Sequence, residues 1–132
     1  MSIQATWIDE NHTSILVDFV GQWTWEDLRD ANEKKVAMLK SVSHIVDTVN
    51  DLTHSGGLPN GALTEGRSMT KGFETSDGLN LVIQAGALAK SLYIVFQKLY
   101  GRRAGFPEAH FFESRDDALL YLQTQRVSEK DL

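Results

Sequence analysis

Apolar and polar residues alternate twice near the start of the chain. Ile3, Ala5 and Trp7 interleave with Gln4 and Thr6, and Ile15, Val17 and Phe19 share one side of Ser14–Val20. A period of two is that of a half-buried strand, and the short polar link Asp9-Glu10-Asn11-His12 predicts an antiparallel hairpin. The period then changes. Trp25, Leu28, Val36 and Leu39 fall on one helical face, with Glu33, Lys34 and Lys35 expected in water. Thr24-Trp25-Glu26-Asp27 has the form of a capping box, and its acids suit the positive end of the helix dipole, so the helix is expected to run from Thr24 to about Ser41.

From Ser43 the chain reads SHIVDTVNDLTHSGG. The β-branched run Ile45, Val46 and Val49 predicts a buried central strand, reached from Val20 by a helical crossover and therefore parallel to it. Thr53-His54-Ser55-Gly56-Gly57 is expected to leave the sheet as a small-residue loop. In this reading Asp47 sits near the strand's exposed edge, bonded to a neighbouring side chain. Ligands and partners of open α/β sheets gather at the carboxyl ends of the strands, so this loop is where a functional surface is expected.

Residues 53–78 hold six of the ten glycines and Pro59. They predict a weakly held segment with one short helix from Pro59 through about Met69, since each internal glycine costs about 1 kcal/mol against alanine. Leu79–Ala85 reads as a strand and Ala87–Tyr100 as a helix with the core stripe Leu88, Leu92, Val95 and Leu99. Ala109–Glu113 reads as a last strand. Ser114-Arg115-Asp116-Asp117 opens a closing helix through Ala118, Leu119 and Leu122. The expectation is one α/β domain spanning 1–132: a single mixed, mostly parallel five-stranded sheet with about four helices, in the order ββαβαβαβα.

Composition narrows the function classes. The chain has no cysteine, which removes disulfides, thiolate metal sites and cysteine nucleophiles and is compatible with a reducing cytoplasm. A net charge of −5 without a basic stripe argues against nucleic acid. No apolar run approaches the roughly 20 residues of a membrane span, and MSIQATWIDE lacks a signal peptide's positive start. A cytoplasmic location is therefore expected. His12, His44, His54 and His110 show no i, i+4 pairing, so neither a metal site nor a cofactor is expected.

Among residues that could carry chemistry, Asp51, His54 and Ser55 are the types of a catalytic triad. They lie too close in sequence to form its hydrogen-bonded chain, and no G-x-S-x-G elbow is present, so no catalytic residue is assigned. Gly61–Ser68 mimics a P-loop with arginine in the lysine position, but no strand immediately precedes it. Trp23, Tyr93, Phe96 and Tyr100 exceed what one sheet face needs and are the candidate interface, with a homodimer as its expected use.

The element order, with Trp23-Thr24-Trp25-Glu26 opening the first helix, Asp51-Leu52 ending the central strand and Phe111-Phe112-Glu113-Ser114 leading into Asp116-Asp117-Ala118-Leu119, resembles the SpoIIAA-like branch of the STAS domains, the anti-sigma-factor-antagonist fold. The resemblance implies a non-enzymatic regulatory or protein-interaction domain. In that family a serine after the central strand is phosphorylated and controls partner binding. The matching residue here is Ser55, in Ser55-Gly56-Gly57-Leu58, with His54 where the family motif has aspartate. Asp51, His54, Ser55, Gly56 and Gly57 are thus the candidate binding loop and Ser55 the candidate phosphoacceptor. Related CRAL-TRIO-like members imply an alternative, a carrier of a small apolar ligand or lipid between the sheet and the 59–72 segment.

Overall fold

The computed structural model describes residues 2–61, 64–65, 78–86, 90, 94, 98 and 109–130, the last five of these in backbone only. Five strands form one sheet in the order β1 (Ile3–Trp7), β2 (Ser14–Gly21), β3 (Asp47–Ser55), β4 (Asn80–Ile83) and β5 (Ala109–Phe112). β1 and β2 pair antiparallel, and β2 through β5 pair parallel. The chain is an α/β protein with a mixed, mostly parallel sheet. Two helices are described, α1 (Trp25–Lys40) and α2 (Arg115–Lys130), so the expected count of about four is not met among the described residues.

The alternation along β1 and β2 does what the sequence requires. Ile3, Ala5, Ile15, Val17 and Phe19 point to one face and pack with Trp23, Ala31 and Val46, beneath α1. Val49, Leu81 and Ile83 project from the other face and pack with Ala118 and Leu122 of α2. Two apolar layers on opposite faces of a single sheet give the fold its core.

α1 carries the capping box in full. The Thr24 hydroxyl accepts from the Asp27 amide at 3.1 Å, and the Asp27 carboxylate accepts from the Thr24 amide at 2.9 Å. Lys35, expected in water, is half-buried, and burial pulls its ammonium below the usual lysine pKa.

β3 departs most from expectation. Ile45 is 66% exposed and outside the sheet, and the strand runs on through Thr53, His54 and Ser55. The reason is the partner. β2 continues past a bulge between Asp18 and Val20 to Gly21, so His54 and Ser55 find Val20 and Gly21 to pair with despite their turn-like composition. Asp47 opens the strand and accepts the Leu79 amide at 2.7 Å. Beside it, Gly78 passes so close that a Cβ there would stand 2.2 Å from the Val46 carbonyl oxygen.

The helix expected over Ala87–Tyr100 is described only at Gly86, Lys90, Ile94 and Lys98, which are helical and exposed. Its core stripe Leu88, Leu92, Val95 and Leu99 lies outside the described residues, as does most of the segment from Pro59 to Gly72. Of that segment Thr64 and Glu65 are helical, with the Glu65 amide donating to the Gly61 carbonyl at 2.9 Å. No helix among the described residues is long and apolar enough to cross a membrane.

Candidate functional site

The carboxyl ends of β2, β3, β4 and β5 bring together residues far apart in sequence. Strand order follows chain order, so the sheet has no reversal point of the kind that opens a ligand crevice. Any site at this rim must be judged from its side chains.

Asp51 is the charged centre of the rim. It is 2% exposed, in the middle of β3. One carboxylate oxygen accepts the Thr53 amide at 2.9 Å and the Thr53 hydroxyl at 2.5 Å. The other accepts from Nε and Nη2 of Arg115, at 2.9 and 2.6 Å. Burial alone would raise the Asp51 carboxyl. The Thr53 and Arg115 hydrogen bonds and the guanidinium charge outweigh it, so the pKa stands below the usual carboxylate value. With four donors on two oxygens and a lowered pKa, Asp51 is an ionised anchor at neutral pH and not a group poised to take a proton there. Arg115 also stands 4.0 Å from the Asp18 carboxylate, on the β2 residue in register with Asp51. That Asp18 Oδ1 is buried and has no hydrogen-bond partner among the described residues.

Ser55 ends the strand half-buried. Its Oγ accepts from the indole Nε1 of Trp23 at 2.8 Å and donates to the Gly56 carbonyl at 2.8 Å. Trp23 is 3% exposed, with its ring edge-on to Phe19 and Trp25. It is a core residue, which removes it from the candidate interface. Trp25 is half-buried and donates its Nε1 to the Asn60 carbonyl at 2.7 Å. The Gly56 amide donates to Gly21 at 2.8 Å, and Arg29 pairs with Glu65. The loop after β3 is therefore held against α1 at several points, while Thr53, His54, Gly56 and Gly57 face solvent.

The structure thus brings Ser55, Gly56 and Gly57 to one exposed rim and sets Asp51 beneath it. It does not join Asp51, His54 and Ser55 into a hydrogen-bonded chain: Asp51 is bonded to Thr53 and Arg115, and Ser55 to Trp23. The chain matches no protein-family model and no curated protein.

The remaining histidines are apart. His12 stacks on Trp7, the His44 ring meets the His12 carbonyl, and His110 lies against Tyr121. No cluster of residues that could hold a metal ion occurs among the described residues. Tyr93, Phe96 and Tyr100 of the candidate interface lie outside them.

Sequence reasoning missed Arg115, Thr53 and Asp18. One signal was present. Arg115 is a cation in the first turn of a helix, where the dipole disfavours it, so it requires a compensating anion. Nothing in the sequence said that the anion was Asp51, 64 positions away.

Proposed function

We propose that this chain is a regulatory, protein-interaction domain of STAS type, with the exposed loop after β3 as its contact surface and Ser55 as the residue that modulates it. The observation that carries the reading is the hydrogen bond from the buried Trp23 indole to Ser55 Oγ. It ties the state of a half-exposed hydroxyl at the rim to a ring in the core. The loop is pre-shaped by bonds to Gly21 and Trp25, which lowers the ordering cost of engaging a partner. A phosphate on Ser55 would add nearly two negative charges at that point and remodel the contact with Trp23.

The test is to incubate the purified chain with cell extract, measure Ser55 occupancy by mass spectrometry, and compare partner recovery for the parent, Ser55→Ala and Ser55→Asp. Modification of Ser55 with altered recovery by Ser55→Asp is expected. An unmodified Ser55 with identical recovery by all three removes the proposal. A homodimer through Tyr93, Phe96 and Tyr100 belongs to the same reading and is checked by sedimentation with Phe96→Glu.

A further inference from the structure

The chain holds five asparagines, and only Asn60 is followed by glycine. An asparagine is lost when the main-chain nitrogen of the next residue attacks its Cγ, and a side chain on that residue shields the nitrogen. Gly61 has no side chain. Its φ of +84° is a left-handed conformation that favours glycine, so the turn itself selects the unshielded nitrogen. Asn60 and Gly61 are both exposed turn residues, open to base and to water.

The fold protects the other four. Asn50 and Asn80 lie in paired strands, and the Asn50 side-chain amide donates to Asn80 Oδ1 at 2.9 Å and to the Leu81 carbonyl at 3.2 Å. Asn32 lies within α1, where the nitrogen of the next residue belongs to the helix ladder. Asn11 is exposed, but the next residue is His12, with its ring stacked on Trp7 at 4.3 Å. Asn60 also supports its surroundings. Its main-chain carbonyl accepts Nε1 of Trp25 at 2.7 Å, which ties the loop after β3 to the start of α1.

We propose that Asn60 is a site of spontaneous deamidation, and that its conversion to isoaspartate releases the chain beyond it from Trp25. The Gly61 amide gives its proton to base, and its nitrogen bonds to Asn60 Cγ. The Cγ–Nδ2 bond breaks, and the side-chain nitrogen leaves as ammonia with a proton from solvent. Water then opens the cyclic imide. Attack at Cγ gives aspartate, and attack at the main-chain carbonyl gives isoaspartate; either way one water is consumed, one ammonia released and one negative charge gained. In isoaspartate the chain runs through Cβ and Cγ, one methylene longer. The carbonyl that Trp25 held becomes a free carboxylate, so the indole bond no longer fixes the path to Gly61. The proposal does not depend on Ser55 or on the use of the loop.

The test ages the full chain at mildly acidic and mildly alkaline pH and maps it by mass spectrometry beside an unaged sample digested in parallel. Conversion at Asn60 is expected at least ten times faster than at any other asparagine, faster at the alkaline pH, with isoaspartate among the products. Asn60→Gln closes a less favourable ring while keeping the carbonyl for Trp25, and Gly61→Ala shields the nitrogen; each should slow conversion at least tenfold. The NMR resonance of the Trp25 indole N–H should move in the isoaspartate fraction while that of Trp23 stays. Asn60→Asp carries the charge without the rerouted chain and should leave Trp25 near its parent position. Conversion at Asn60 no faster than elsewhere, a rate indifferent to pH, an unslowed Asn60→Gln, or an unmoved Trp25 resonance in the isoaspartate fraction overturns the proposal. Should Gly61→Ala disturb the turn, Asn60→Gln decides.

Discussion

Replacing Arg115 with methionine tests how the charge inside the sheet is held. Asp51 is 2% exposed, and Arg115 is its only cation within salt-bridge distance among the described residues. Methionine keeps most of the stem and removes both guanidinium bonds. Removing one partner of a fully buried pair costs roughly 3–5 kcal/mol. Here the Arg115 side chain is 45% exposed, so water can enter the vacated place and supply part of what Asp51 loses. The expected cost is then about 2 kcal/mol. For a domain of this size that lowers the melting temperature by roughly 7 °C. Urea unfolding followed by tryptophan fluorescence would show the midpoint fall by about 1 M. The decisive comparison is the double variant Asp51→Leu, Arg115→Met. With the Asp51 charge gone as well, the carboxylate that still loses Arg115 is Asp18, 4.0 Å away and 33% exposed in its side chain, so stability should return to within about 1 kcal/mol of the parent. Arg115→Met within about 0.5 kcal/mol of the parent, or a double variant costing the sum of both single changes, would refute the argument.

The same carboxylate sets an acid limit. Its pKa is lower folded than unfolded, so its contribution is complete above the ordinary carboxylate range and is lost as pH falls through the native value. Asp51→Asn should flatten the acid side of the stability profile, and Arg115→Met should move the loss to higher pH; urea midpoints at a series of pH values read both. Gly78→Ala would force a Cβ against the Val46 carbonyl and is expected to cost about 3 kcal/mol in urea unfolding, with the start of β3 the first amides to exchange. Thr24→Ala removes the acceptor of the Asp27 amide and should cost about 1 kcal/mol, measurable by thermal denaturation. Trp23→Phe keeps a ring in the core but deletes the donor to Ser55. About 1 kcal/mol of destabilisation is expected, and exchange at Ser55 and Gly56 should quicken while β1 is unchanged.

Local pattern alone made much of the sheet legible. The alternations in Ile3–Trp7 and Ser14–Val20 specify strands because a residue's face in a strand depends only on its neighbours' parity. Thr24 and Asp27 specify the start of α1 because a capping box closes within four residues. The parallel neighbouring of β2 and β3 followed from the helix between them. Three-dimensional pairing decided the rest. Thr53-His54-Ser55 has the composition of a turn and lies in a strand because β2 offers it main-chain partners. The sequence puts Trp25 on the apolar face of α1 and Trp23 in the candidate interface, and the packing of Phe19, Ala31 and Val46 instead sends Trp23 to the core while Trp25 is half-buried. Asp51 could be read as an acid in a loop until Arg115 is seen beside it. Contacts of this kind join positions that no local rule relates: a charge's partner is settled by which ends the folded sheet brings together, while parity, caps and crossovers are settled within a few residues of the chain.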